Sequence, residues 1–205
     1  MTSQVWQDDP RRLGFVLARY KFAAKMLSGL ERVLEIGCAD AFGTRVVAQE
    51  VGSVAAIDFD PVFIEDAISR SNSLWPVEVF QHDITDSPVD GPFDAAYSID
   101  VLEHIPKEKE NDFVANVAAS LSSSGVFLVG SPSIHSQAYA SEPSKQGHVN
   151  CKDAVELKTL LQRYFSNVFI FSMNDEVVHT GFSAMAHYLF GLACGPKSLT
   201  PQQAQ

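Results

Sequence analysis

The chain has 205 residues, of which 46% are hydrophobic and 20% charged; this is the composition of a folded chain with a full core, not of a disordered one. Lys and Arg number 15 against 25 Asp and Glu, for a net charge of −10. Such a chain repels phosphate backbones, so neither nucleic acid nor an anionic membrane is an expected partner.

Cys38, Cys151 and Cys194 are dispersed and form no CxxC pair. That disfavours a disulfide framework or a cysteine zinc site and suits a cytoplasmic setting. Met1–Pro10 lacks the basic and apolar runs of a signal peptide, and the most apolar stretch, Phe182–Cys194, is too short to span a bilayer. The length predicts one domain over residues 1–197, with an N-terminal helical segment at 1–29, a candidate substrate loop at 132–150 and a frayed tail at 198–205.

Asp9-Pro10 is a helix start, and Leu13, Val16, Leu17, Tyr20, Ala24 and Leu27 draw one apolar stripe up to Gly29. Short apolar runs then alternate with helical stretches. Val33–Ile36 reads as a strand, followed by a turn and a helix through Val46, Val47 and Val51. Val54–Ile57 is a second strand, and Asp60-Pro61 caps a helix with Ile64, Ala67 and Ile68 inward. Val77–Phe80 and Phe93–Ile99 are the third and fourth strands. A helix carrying Phe113, Val114, Val117, Ala118 and Leu121 stops at Gly125, before a fifth strand at Val126–Val129. After the polar loop come a helix with Val155, Leu160, Leu161 and Tyr164 and two last strands, Val168–Phe171 and Ala186–Leu192.

This alternation predicts an α/β fold: a seven-stranded, mostly parallel sheet with helices on both faces. In such sheets ligands sit at the carboxyl ends of the strands. What stands at those ends is therefore informative.

After the first strand runs Glu35-Ile36-Gly37-Cys38-Ala39-Asp40-Ala41-Phe42-Gly43, whose small residues permit a sharp turn and close approach of a ligand. A ligand-free βα turn is the alternative. Asp58 ends the second strand, where a carboxylate can accept from the two hydroxyls of a ribose. His82-Asp83-Ile84 follows the third strand, where Asp83 could accept from an adenine amino group and Ile84 cover the ring.

Together these segments resemble the class I S-adenosylmethionine-dependent methyltransferases. Val33–Gly43 resembles the family's first motif, Ala56–Pro61 its acidic second-strand motif and Gln81–Ile84 its adenine-side Asp. Phe93–Ile105 resembles the fourth-strand motif of the branch that includes ubiquinone-biosynthesis O-methyltransferases, and Leu121–Pro132 the run into the fifth strand. The resemblance implies a Rossmann-like sheet with its last strand antiparallel, S-adenosylmethionine as cofactor and S-adenosylhomocysteine as product. By it, Glu35 supports the loop, and Gly37, with Cys38 and Ala39 beside it, faces the methionine part. Asp58 holds the ribose, Phe59 flanks the adenine, Asp83 and Ile84 bind the base, and Ser98 sits near the amino-acid end or the methyl group. Ala39 and Ala41 replace two glycines of the common loop and restrict positive φ, so an altered loop geometry is expected.

Asp100, Glu103 and His104 fall at i, i+3 and i+4, one face of a helical turn, and His148 of the long loop can reach the same mouth. Three roles are open to them. They could cap and support the cofactor site; His104 or His148, with Asp100, could serve as a general base; or Asp100, Glu103, His104 and His148 could hold a divalent metal such as Mg²⁺ or Mn²⁺. Small-RNA 3′-end methyltransferases and some ubiquinone-pathway enzymes resemble the last with a Glu-x-x-Glu-His pattern. Arg11, Arg12, Arg19 and Lys21 are read as a solvated helix face, with an anionic acceptor or the cofactor carboxylate as the sharper alternative.

The expected function is methyl transfer to a small-molecule acceptor; the small single-domain type resembles methyltransferases of bacterial surface-polysaccharide and secondary-metabolite pathways, which implies a sugar, a polysaccharide precursor or another small acceptor. A homo-oligomer is left open. Two rivals are a nicotinamide-dependent oxidoreductase, which would want Gly-x-Gly-x-x-Gly where this chain has Gly37-x-Ala39-x-x-Phe42, and a non-catalytic methyltransferase-like binding module.

Overall fold

A computed structural model describes residue 7 and residues 9–198; the expected frayed tail and the first stretch of the N-terminus lie almost wholly outside the described residues. Eight strands form one sheet in the order β3-β2-β1-β4-β5-β8-β6-β7. The strands are β1 (Arg32–Ile36), β2 (Ser53–Asp58), β3 (Glu78–Gln81), β4 (Phe93–Ile99), β5 (Leu121–Pro132), β6 (Phe165–Asn174), β7 (Val177–His179) and β8 (Tyr188–Pro196). Neighbours among β1 to β5 pair in parallel, and β8 inserts antiparallel between β5 and β6. The mostly parallel sheet with a reversed late strand is as expected, but the count is eight. The added β7 hairpins onto β6 through a turn with Asp175 at φ 51°. Three residues are too few for a period-two pattern to register.

Helix α1 (Pro10–Met26) starts as its sequence demands: Asp9 accepts from the amides of Arg11 and Arg12, and Pro10 takes the first turn. Its stripe buries Tyr20, Ala23, Ala24 and Leu27 on one face of the sheet, against Val33, Tyr97, Leu128 and Phe190. Helix α2 (Thr44–Ala48) is shorter than expected, leaving Val51 beyond its end. Helix α3 (Pro61–Ser69) is capped by Asp60, whose side chain accepts from Val62 N.

The opposite face is covered by α4 (Glu110–Ser120) and α6 (Ala154–Tyr164). Phe113, Val114 and Val117 of α4 and Leu157, Leu160 and Leu161 of α6 pack with Leu34, Phe127 and Val129. Val155, expected on the inner face, is exposed; the α6 stripe starts at Leu157. β5 begins at Leu121, ahead of Gly125, because Leu121 pairs with Phe93 across a register shift. The segment expected as a polar loop, 132–150, folds into a 3₁₀ turn at Ile134–Tyr139 and the short helix α5 (Glu142–Gly147). Among the described residues no helix is long and apolar enough to cross a membrane.

Candidate active site

The loop after β1 closes tightly on the next strand: the amides of Gly37 and Cys38 both donate to Ile57 O, at 2.8 and 3.0 Å. Gly37 has φ +74°, and a Cβ there would lie 2.3 Å from Val101 Cγ2. Only glycine allows this contact between the first and fourth loops. Ala39 and Ala41 take φ 47° and 51°. Both alanines thus sit in the left-handed region, at a cost of about 1–2 kcal/mol each.

Asp58 explains how the turn is held. Its Oδ2 accepts the Ala39 amide at 2.9 Å and its Oδ1 the Asp60 amide at 3.0 Å. The carboxylate is buried yet keeps acceptor capacity, since its two oxygens offer about four lone-pair sites. Phe59 beside it is exposed. Asp83 is exposed and accepts from the amide and hydroxyl of Thr85 through Oδ1, so it also starts a local turn. Ile84 is buried in the core with Ile57 and Phe93.

Glu35 points to the α1 side of the sheet, where the hydroxyls of Thr44, Tyr97 and Tyr20 face it. Its Oε2 has no hydrogen-bond partner. Burial outweighs the hydroxyls and pushes the carboxyl up to about 7. Tyr20 does more than meet Glu35: its ring lies over Gly43, where a Cβ would stand 2.3 Å from Cε2. Cys38 is buried, and burial pushes its thiol well up, so it is no nucleophile.

Ser98 lies inside β4, not past its end, and is fully buried with Oγ unpartnered. The turn that follows holds Asp100 at φ 60°. Asp100 is not a free base: Arg19 Nη1 donates to both of its oxygens, at 2.9 and 2.7 Å. Arg19 also stacks over Tyr188, 4.0 Å from the ring centroid. Burial opposes the charge on Arg19, but Asp100, Tyr188 and Glu103 together outweigh it and the guanidinium pKa rises. The reading of Arg19 as part of a solvated face is overturned. Its sequence signal was faint, an arginine flanking the stripe beside Tyr20.

Glu103, His104 and His148 converge, each offering one donor atom within 4.8 Å of the others. The imidazoles meet edge to face at 5.2 Å. His104 Nδ1 lies 2.9 Å from Gly147 O and His148 Nδ1 2.8 Å from Gln137 Oε1. Carbonyl oxygens only accept, so Nδ1 carries a proton in each ring, and in the neutral ring the lone pair is on Nε2. Burial and the neighbouring charges of His104 and Arg12 lower the His148 pKa, against Asp100. Glu103 is buried with Oε2 unpartnered, and burial together with Asp100 pushes its carboxyl well up.

The expected four-residue metal set is therefore three: Asp100 is committed to Arg19. The remaining three side chains fit a divalent cation, because a buried carboxyl with an orphaned oxygen and two imidazoles each offer a ligand atom to it. The segment bearing His148 is pinned beneath. Glu103 O accepts the amides of Val149 and Asn150, and buried Lys152 donates to Glu110 Oε2 at 2.6 Å and Asn150 Oδ1 at 3.0 Å.

Residues 33–125 match the family model described as a methyltransferase domain. The chain is 31% identical over 132 residues to the probable S-adenosylmethionine-dependent methyltransferase Rv3030 of Mycobacterium tuberculosis, a match covering 63% of this chain and 46% of that protein. Residues 33–125 thus carry a methyltransferase domain, and the relatives that the chain matches are S-adenosylmethionine-dependent methyltransferases. It spans about half the length of the curated relatives it matches. Its fold is that of a Clostridium acetobutylicum S-adenosylmethionine-dependent methyltransferase (TM-score 0.75, 10% identity, 95% of this chain and 98% of that one). It is also that of the N-methyltransferase NodS from Bradyrhizobium japonicum in complex with S-adenosylhomocysteine (TM-score 0.64, 22% identity, 91% and 87%). The chain places the first loop, the β2 acid and the β4 turn at the carboxyl ends of neighbouring parallel strands.

Proposed function

We propose that a single methyltransferase domain over residues 1–197, acting in the cytoplasm, moves the methyl group of S-adenosylmethionine to an oxygen of a small acceptor, a sugar or polysaccharide precursor. The observation that carries this reading is the Asp58 clamp. One carboxylate at the end of β2 fixes a glycine-type turn with both oxygens on backbone amides, and each oxygen keeps capacity to accept a further hydrogen bond.

In this reading Gly37, Cys38 and Ala39 lie along the methionine part, with Glu35 behind them and Ser98 at its far end. Asp58 accepts from the ribose, Phe59 covers the adenine, and Asp83 accepts from its amino group beside Ile84. When bound, the cofactor would supply a sulfonium methyl for in-line attack by the acceptor oxygen, the C–O bond forming as the C–S bond breaks and the electron pair leaving on sulfur. The acceptor proton goes to Nε2 of His148 or His104. His148 suits this because its lowered pKa leaves it unprotonated at neutral pH. Asp100, held by Arg19, orients the turn and takes no proton. With an activated leaving group, alignment and exclusion of water are the main work.

A second reading is favoured by the orphaned Glu103 carboxyl. Glu103, His104 and His148 would hold a divalent cation of the Mg²⁺ or Mn²⁺ class, which supplies Lewis-acid polarisation of an oxygen.

Calorimetric titration with S-adenosylhomocysteine, with NAD as control, tests the cofactor; transfer of labelled methyl to a panel of sugars tests the acceptor. Saturable binding of the first alone is expected. Heat from NAD alone would replace this reading with an oxidoreductase, and cofactor binding with no transfer to any acceptor class would leave a binding module.

A further inference from the structure

Arg12 is left over from the site described above. It stands seven residues before Arg19 on α1, a spacing that returns to the same helix face within about 20°, roughly 10 Å along the axis. Arg19 is fixed to Asp100 at the site, so Arg12 overhangs the same mouth. It is near enough to His148 to act on its charge. Every other arginine of α1 has a carboxylate: Arg11 pairs with Asp9 and Arg19 with Asp100. Arg12 is exposed, and among the described residues its guanidinium has neither ion pair nor hydrogen bond.

That is unusual chemistry for an acidic chain with net charge −10. Three nitrogen groups, Arg12, His104 and His148, meet at one mouth. The carboxylates nearest them are spent, Asp100 on Arg19 and Glu103 inside the protein. With Arg19 compensated by Asp100 and both imidazoles neutral, the Arg12 guanidinium is the uncompensated charge at this mouth, and it favours an anion there although the chain as a whole is acidic. A guanidinium fork also matches the paired oxygens of phosphate or carboxylate.

We propose that the methyl acceptor carries an anionic oxygen group, a phosphate or a carboxylate, which Arg12 receives while His104 and His148 face the reacting atom. The proposal rests on the methyl-transfer reading and narrows its substrate class to acidic or phosphorylated acceptors. Arg12 is then a specificity residue, distinct from the cofactor contacts.

The test uses the full chain with histidine rings isotopically labelled and S-adenosylhomocysteine bound, followed by NMR at constant ionic strength. Glucose 1-phosphate, glucuronate and glucose are titrated in turn. Saturable shifts of the His148 ring are expected with one or both anions and not with glucose, and the tighter anion identifies the group. Arg12→Gln should weaken that binding by about tenfold, the loss of one charge-assisted contact. Glucose binding as well as the anions, no saturable shift with any of the three, or R12Q binding the anion as wild type does, would each overturn the proposal. Cofactor affinity is measured on the same samples. Its absence in wild type removes the methyltransferase reading, whereas intact cofactor binding with an R12Q-insensitive anion removes this proposal alone.

Discussion

Arg19 and Asp100, 81 residues apart, share a two-pronged contact from Nη1 that ties α1 to the end of β4. The guanidinium is stacked on Tyr188 and has Nε buried without a partner. Asp100→Ala leaves this charge uncompensated in a half-buried setting and is expected to cost about 2 kcal/mol, less than for a fully buried pair. Arg19→Met/Asp100→Ala removes both charges and should recover more than half of the loss. Urea unfolding of the two singles and the double closes the cycle. Simple additivity would show that the pair is not coupled.

The Asp58 clamp makes a second expectation. Asp58→Ala frees two amides, of Ala39 and Asp60, and removes the proposed ribose acceptor. Affinity for S-adenosylhomocysteine should fall by about 1.5–3 kcal/mol, the value of a hydrogen bond to a charged group. Calorimetry on the folded variant measures it; an unchanged Kd rejects the ribose assignment.

Within the first loop, glycine and alanine should respond in opposite ways. Gly37→Ala drives a methyl into Val101 at a positive φ, so it should lower stability by more than about 2 kcal/mol and remove cofactor binding. Ala39→Gly relieves a left-handed alanine but loosens the unfolded chain, and the two effects nearly cancel, to within about 0.5 kcal/mol. Thermal unfolding with and without S-adenosylhomocysteine reads both.

The metal reading is checked without turnover. Manganese binding followed by electron paramagnetic resonance should be saturable in wild type and lost in His148→Ala and Glu103→Gln. It should weaken as pH falls, because each Nε2 lone pair is lost on protonation. Asp100→Asn should leave it largely intact, since Asp100 lies outside the converging trio. Dependence on Asp100 equal to that on His148 would restore the four-residue set.

Much of this architecture was legible because it is written in local chemistry. Asp9-Pro10 and Asp60-Pro61 name two helix starts, and Gly37 and Asp58 name the loop and its clamp. What was missed is non-local. Arg19 reads as a surface charge until the sheet brings Asp100 and Tyr188 beneath it. Leu121 reads as the last turn of a helix until Phe93 pairs with it. His148 could be placed at the mouth from its loop, but its tie to Gln137 and its support by Lys152 and Glu110 depend on how 132–150 folds back.

Glu35 gives a pH dependence whose sign is fixed by its raised pKa. A carboxyl moved from 4.5 to about 7 by burial binds its proton more tightly folded than unfolded. Its contribution is therefore full below about pH 4.5 and is lost as pH rises through 7. The loss is on the order of 3 kcal/mol at about 1.4 kcal/mol per pKa unit. Other acids contribute with both signs: the Glu103 carboxyl is also pushed up by burial, whereas Glu110, paired with Lys152, has a lowered pKa and loses its contribution as pH falls. The informative quantity is thus the difference between Glu35→Gln and wild type in ligand-free protein. The variant should gain stability relative to wild type between pH 5 and 8, with the difference levelling off above pH 8. Urea unfolding across that range measures it, and a difference that stays flat with pH would mean that Glu35 is not protonated in the folded protein near neutrality.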